Sequence, residues 1–382
     1  MKYLDADRDP RLTRDLVEEI RRAVTRPWTL LEVCGGQTQN IVRLMNGRVL
    51  PEGLEWLHGP GCSESLLPSA CLARLIALAQ EPGRIVCVPG DVLRVPAGRE
   101  SLQTAIGRGG DVRVVYSPLD ALALARKLPG REIVALASGF ETMAPAAAAA
   151  VIEADRLGLA NFFMESRLLV MRAAVKTSIE TLASRTDGLL LSGPVCAVTG
   201  IREYEAISRR FQIPISVVGP EPMDLLEGLL RIVRQLESGA WGVDNQYSRA
   251  VRPEGNPQAL ASIDAVFEPS DADWRGLGRL PRSGLVLRER YRRFDASARF
   301  PVTSAFAVDS PECQDREILA ARMKPPACRA FGTLCRPDHP LGAPMAASEG
   351  LCRTYYRFQK SWSTQTTSPA LPVIPTQVAP GT

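Results

Sequence analysis

The chain has 382 residues, 46 basic and 42 acidic, and 45% of its side chains are hydrophobic, which suits two or three cored domains and excludes a disordered chain. A formal charge of +4 with only 6% aromatic residues excludes a dedicated nucleic-acid binder built on stacking platforms. No apolar run approaches the roughly 18 residues of a membrane span, and the start, MKYLDADRDPR, lacks a signal-peptide core. A cytoplasmic protein that engages neither nucleic acid nor membrane is therefore expected.

Residues 11–24 place Leu12, Leu16, Ile20 and Val24 four apart, which predicts an amphipathic helix. After Pro27 the apolar run TLLEV (29–33) ends at Cys34-Gly35-Gly36. The same grammar returns as LEWL (54–57) before HGPGC, RIVCV (84–88) before PGD, VRVVYS (112–117), EIVALA (132–137) before SGFE, DGLLL (187–191) before SGP and PISVV (214–218) before GPEP. Strand-length runs bounded by Gly or Pro and followed by helix-length segments predict an α/β fold, with parallel sheets covered by helices. These strands divide most simply into two consecutive α/β domains, 29–128 and 129–240, behind an N-terminal helical segment, 1–28. Beyond Trp241 the alternation fades into sequence rich in Arg, Asp, Pro and Gly. Residues 241–360 are expected to form an irregular cap with a few short strands, joined to a cysteine-bearing domain. The Ser/Thr/Pro-rich stretch 361–382 reads as a disordered tail.

Sulfur dominates the available chemistry, with nine cysteines against two histidines, His58 and His339. Two imidazoles exclude a multi-histidine metal centre, and an odd cysteine count argues against a disulfide framework. Cys313, Cys328, Cys335 and Cys352 crowd into one Pro/Gly-rich segment with spacing C-x14-C-x6-C-x16-C. Four thiolates are the ligand set of a [4Fe–4S] cluster or of structural zinc. Zinc sites commonly carry paired C-x2–4-C knuckles, absent here, so the cluster is favoured; four merely buried cysteines are the plain alternative.

Cys34 stands at a strand end before two glycines and a helix start, with Thr38 as a candidate N-cap. The helix N-terminus is expected to lower the thiol pKa, making Cys34 a nucleophile or a soft-metal ligand; the alternative is a buried cysteine in a glycine turn. HGPGC (58–62) forms a second such loop, presenting Cys62 four residues after His58. In SGFETMAP (138–145), Thr142 is a candidate cap, Pro145 suits the first turn, and Glu141 sits at the helix mouth. Glu141 could be an acid, a base or a ligand contact, or only a partner of the helix dipole. Cys71 and Cys87 fall in apolar elements and read as core, and Cys196 as core or loop packing. GRGGD (107–111) lacks the dinucleotide fingerprint and no Walker lysine motif occurs, so neither NAD nor ATP is supported. The motifs cluster at the carboxyl ends of strands, where open α/β sheets bind ligands.

Taken together, EVCGG (32–36), HGPGC (58–62), VYSPLDAL (115–122), GFET (139–142), EPMDLL (221–226), NQYSR (245–249), WRGLG (274–278), YRRFDA (291–296), FGTLC (331–335) and SEGLC (348–352) ahead of Tyr355-Tyr356 resemble the HypD family of hydrogenase maturation factors, in order and over nearly the whole chain. The resemblance implies two similar α/β domains and a third holding a [4Fe–4S] cluster through Cys313, Cys328, Cys335 and Cys352. It further implies a scaffold that, with a small HypC-type partner and cyanide from a HypE-type donor, builds the Fe(CN)2CO unit of [NiFe]-hydrogenase. Cys34 would be the iron-binding cysteine, with Cys62 assisting it and Glu141 in the central cleft. The chain departs from the family pattern at Gln37 and Gln39, where histidines are usual, at Ser65, where a C-x-x-C pair would be completed, and at Pro194, where another histidine is usual. A divergent paralogue that keeps fold and cluster but serves as a binding or regulatory partner, or assembles another metal centre, is the alternative implied by these departures. An unrelated iron–sulfur oxidoreductase with a small substrate in the cleft is a third reading.

Overall fold

A computed structural model describes residues 10–46, 49–182, 185–301 and 307–358. The predicted tail, 361–382, lies outside the described residues, as do residues 1–9. The N-terminal helix forms as α1 (Pro10–Ala23), burying Val17 and Ile20, while Leu12 at its outer end stays exposed. Strand–helix alternation follows as β1 (Trp28–Glu32), α2 (Gly35–Asn46), β2 (Leu54–His58), α3 (Ser69–Gln80), β3 (Arg84–Val88), α4 (Leu102–Gly107) and β4 (Val112–Val114). It continues through α5 (Pro118–Lys127), β5 (Glu132–Gly139), α6 (Ala144–Arg156), β6 (Phe162–Leu169), α7 (Met171–Leu182), β7 (Gly188–Ser192) and α8 (Gly193–Thr199). Next come α9 (Arg202–Phe211), β8 (Ile215–Val218), α10 (Pro222–Ser238), β9 (Val243–Asn245) and α11 (Pro257–Val266). A hairpin of β10 (Phe267–Trp274) and β11 (Gly278–Leu287) then precedes four short helices, α12 (Ala296–Arg299), α13 (Asp315–Leu319), α14 (Ala343–Ala346) and α15 (Leu351–Phe358).

All seven predicted strands are present, and the fold is α/β as expected. The strands form an all-parallel five-stranded sheet, β2-β1-β7-β8-β9, and a six-stranded sheet, β10-β11-β6-β5-β3-β4, in which only β11 is reversed, pairing antiparallel with both β10 and β6. The division into consecutive domains at 29–128 and 129–240 is corrected by this topology. β2 pairs with β1, and β1 pairs on its other side not with β3 but with β7, through Leu30–Gly188 and Leu31–Leu189, so the first sheet is assembled from both ends of the α/β region. Pairing in a parallel sheet depends on crossovers of any length, so chain order alone does not assign a strand to its sheet.

Four further strands, β6, β9, β10 and β11, lie outside the predicted apolar runs, and two of them show why. In β6 (FFMESRLL) the run is broken by Glu165 and Arg167, yet Glu165 is fully buried, with its carboxylate held by Arg74 at 3.1 Å and Arg167 at 2.7 Å. The paired guanidinium groups make burial of this charge tolerable in mid-strand. β10 (FEPSDADW) lies at a sheet edge facing solvent, where polar residues and proline are usual. The 241–360 region is therefore more regular than an irregular cap, and its hairpin completes the second sheet.

The C-terminal lobe has its own small core, in which Ile318, Met345, Leu351 and Tyr355 pack with Cys328, Cys335 and Cys352 and against Val42 of α2. That contact seats the lobe over the helix that follows Cys34. Two polar bonds reinforce it: Gln39 Nε2 donates to the Ser348 carbonyl at 3.0 Å, and the Ser348 hydroxyl donates to Asp91 at 2.5 Å. No helix among the described residues is long and apolar enough to cross a membrane.

Candidate functional site

The two thiol loops meet at the carboxyl ends of β1 and β2. Gly59 N–H donates to the Glu32 carbonyl at 2.7 Å and Gly35 N–H to the Gly61 carbonyl at 3.0 Å, so backbone bonds join them directly. A Cβ at position 61 would lie 2.5–2.7 Å from the N, Cα and C atoms of Cys34, an approach only glycine allows. Residue 61, the immediate neighbour of Cys62, therefore rests on the Cys34 backbone.

Helix α2 begins right after Cys34, at Gly35, so Thr38 is not its N-cap. Thr38 lies inside the first turn, where its N–H donates to the Cys34 carbonyl at 2.8 Å and its hydroxyl to Glu32 Oε1. The thiol pKa is also corrected. Loss of hydration raises it, helped by the negative charges of Glu32 and Glu349, and the Ser192 hydroxyl and the Gln37 N–H oppose this without reversing it. Cys62 is buried, and its pKa is likewise raised by burial and by Glu64. Ser65 takes the place of a second thiol: its hydroxyl donates to Cys62 Sγ at 3.1 Å. None of the nine cysteines is in a disulfide.

Beneath the loops lies a buried polar hub that sequence reasoning missed. Glu32 Oε2 accepts the Cys34 N–H at 2.8 Å, and Glu32 Oε1 is 2.7 Å from His58 Nδ1. His58 Nε2 stands 2.9 Å from the hydroxyl of Tyr355 on α15. One signal was available: a carboxylate, Glu32, inside the apolar run TLLEV and two residues before the cysteine. Glu349, from the C-terminal lobe, hangs over the mouth, with its carboxylate 2.9 Å from where a Gly35 Cβ would stand. Lost hydration and the charges of Glu64 and Asp91 raise its pKa.

Glu141 is buried, both carboxylate oxygens accepting the Met171 N–H at the start of α7, at 3.0 and 3.2 Å. It thus serves α7 rather than the helix beside it, and α6 starts from Met143 with no side-chain cap, which corrects the role given to Thr142. Burial pushes the Glu141 pKa up to about 7, against the opposing effect of backbone N–H bonds. Because the folded protein then holds this proton above the unfolded pKa of about 4.5, stability falls as pH rises through that window and levels off above 7. In Glu141→Gln, whose side-chain carbonyl can still accept from Met171, denaturant titrations between pH 5 and 8 should lose this slope, worth on the order of 2–3 kcal/mol. Cys196 is buried in α8, as expected for packing, and its thiol pKa is raised by burial and by the charges of Glu141 and Cys34.

Gln37 and Gln39 bind as amides. Gln37 Nε2 donates to the carbonyls of Leu191 at 3.1 Å and Val218 at 3.0 Å, tying α2 to the ends of β7 and β8. A neutral imidazole, with a single N–H, could serve only one of them. Pro194 lies in the first turn of α8, which begins at Gly193 after the N-cap Ser192.

The four C-terminal cysteines share one region of the lobe. Cys328, Cys335 and Cys352 belong to the same small core, and a Cβ on Gly342 would lie 2.4 Å from Cys313 Sγ. Charge on Cys313, Cys335 and Cys328 raises the pKa of Cys352, so the four sulfurs lie within mutual electrostatic range. Leu341 N–H donates to Cys335 Sγ at 3.4 Å, and the Asp315 N–H favours the Cys313 thiolate. Among the described residues no three His, Cys, Asp or Glu side chains close on one ion. Cys313, Cys328, Cys335 and Cys352 are thus gathered in one part of the lobe, with amide N–H groups turned to Cys335 and Cys313.

Fold and site together define a parallel α/β protein whose strand-end thiol loops are covered by a cysteine-rich lobe. The model of the hydrogenase formation hypA family, HypD, matches residues 11–359. The hydrogenase maturation factor HypD of Rhodobacter capsulatus is 40% identical over 370 residues, covering 94% of this chain and 98% of that protein. That of Azotobacter vinelandii is 40% identical over 367 residues, covering 94% and 97%, and that of Escherichia coli K12 36% over 371 residues, covering 95% and 100%. The chain belongs to the HypD family of hydrogenase maturation factors.

Proposed function

We propose that the chain is the scaffold on which the Fe(CN)2CO unit of [NiFe]-hydrogenase is assembled, working in the cytoplasm with a HypC-type small partner and a HypE-type cyanide donor. The observation that carries this reading is the junction of the Cys34 and Cys62 loops under the lobe that bears the four remaining site cysteines. Cys34 holds the iron under assembly, which is cargo, through its thiolate. Metal binding requires this thiol to lose its proton, and the Ser192 hydroxyl and the Gln37 N–H stabilise the resulting anion. Cys62 lies beside it as the assisting thiol, and Glu141, with a pKa of about 7, is matched to proton transfer near neutrality. Cys313, Cys328, Cys335 and Cys352 would hold a resident [4Fe–4S] cluster, which supplies one-electron redox capacity.

One observation favours a second reading, a divergent paralogue that keeps fold and cluster but serves as a regulatory partner or assembles another centre. Ser65 occupies the position of a second thiol and holds Cys62 by a hydrogen bond, so no dithiol forms in that loop. Anaerobic purification with the HypC-type partner, followed by infrared spectroscopy, separates the two. Metal-bound CN and CO stretches, with hydrogenase activity restored in a strain lacking its own family member, support assembly. A cluster-replete complex with neither supports the paralogue. Iron analysis should give about four irons per chain with little zinc.

A further inference from the structure

Glu32 and His58 are register partners at the ends of neighbouring parallel strands, and their side chains meet between the thiol loops and the C-terminal lobe. From Cys34 N–H the chain of contacts runs through Glu32 to His58 and on to the Tyr355 hydroxyl, each step between 2.7 and 2.9 Å. The His58 and Tyr355 rings meet edge to face, with centroids 5.6 Å apart. All three side chains are buried, so a lost partner is not replaced by water, and Glu32 Oε1 also accepts from the Thr38 hydroxyl, which ties the same carboxylate to the first turn of α2. Tyr355 lies one helical turn beyond Cys352 on α15, and α15 packs on α2, the helix that Cys34 precedes.

We infer that Glu32, His58 and Tyr355 are positioning residues that carry the state of the four-cysteine centre to the Cys34 loop. The inference rests on the centre proposed above. With its thiol engaged, Cys352 pins the start of α15; Tyr355 then holds His58, His58 holds the Glu32 carboxylate, and the carboxylate holds the N–H that sets the direction of Cys34. With the centre empty, the start of α15 loosens and the loop loosens with it. This route needs no second thiol at position 65.

The test measures how fast N-ethylmaleimide labels Cys34, read by peptide mass spectrometry, in the full chain reconstituted with ferrous iron and sulfide and then stripped of iron not matched by sulfide, so that Cys34 itself carries none, and in the same chain after full chelation. Iron and sulfide content are assayed separately. The chelated protein should label at least ~5-fold faster, the lower end of ordinary coupling between sites. Tyr355→Phe should bring that ratio close to one at unchanged iron content, and His58→Gln, a second variant, should do the same. A role confined to stability would shift both rates together and leave the ratio intact. An unchanged ratio in either variant that folds and loads iron, or a ratio near one in the unaltered chain, overturns the link alone. An unaltered chain that takes up no iron or sulfide overturns the centre, and the link with it.

Discussion

Cys34→Ala should fold normally and load the C-terminal centre, yet show no metal-bound CN or CO stretch and restore no hydrogenase activity. Cys34 is half-buried, and its thiol accepts from the Ser192 hydroxyl, so removing one sulfur atom leaves only a small void and one unpaired hydroxyl. Its backbone bonds, from the Cys34 N–H to Glu32 and from the Thr38 N–H to the Cys34 carbonyl, survive the substitution. The thermal transition should accordingly stay close to that of the unaltered chain. The functional loss should exceed the ~10–100-fold typical of deleting an outer partner of a metal ligand, because the proposed ligand itself is gone. Infrared bands that persist in Cys34→Ala would move the iron to another residue, with Cys62 the next to test.

Gly61→Ala should produce the opposite pattern, a loss of stability with every thiol still present. The added methyl would stand 2.5–2.7 Å from three backbone atoms of Cys34, which cannot turn away as a side-chain end can. Either the Gly35–Gly61 hydrogen bond opens or α2 shifts at its first turn, and overpacking of this kind costs about 1–3 kcal/mol, with the upper end expected against rigid backbone. Denaturant titration measures the cost, and maturation should fail as well, since the two loops no longer meet. As a control, Gly83→Ala also replaces a glycine outside the site, at a φ of 84° but with open space around its Cβ. It should show only the strain of its backbone conformation and leave maturation intact. Full stability and activity in Gly61→Ala would remove the basis for treating the two loops as one site.

How much of this was legible in the chain varies with the range of the interaction. The strand ends before Cys34, Cys62 and Glu141 could be read because an apolar run closed by glycine or proline is a local signal. Thr38 and Thr142 were misassigned as caps because a side chain near a helix start can equally point elsewhere. Thr38 turns to Glu32, and the carboxylate at the start of α7 comes from Glu141, thirty residues away in sequence. The expected lowering of the Cys34 pKa followed from the helix start alone, whereas burial, a tertiary property, prevails.

The sequence by itself determined the α/β class, the thiol loops at strand ends, the concentration of four cysteines in one C-terminal segment and the family to which the chain belongs. The class, the loops and the cysteine segment rest on period, punctuation and composition carried by neighbouring residues, and the family on the resemblance of its ordered motifs, which the family model and the relatives bear out. Only the tertiary structure decided that β1 and β2 join β7, β8 and β9, that β6 runs through a buried carboxylate, and that Tyr355 reaches His58 and Glu32. Such pairings depend on which distant surfaces close over one another as water is expelled, and no local pattern records that choice.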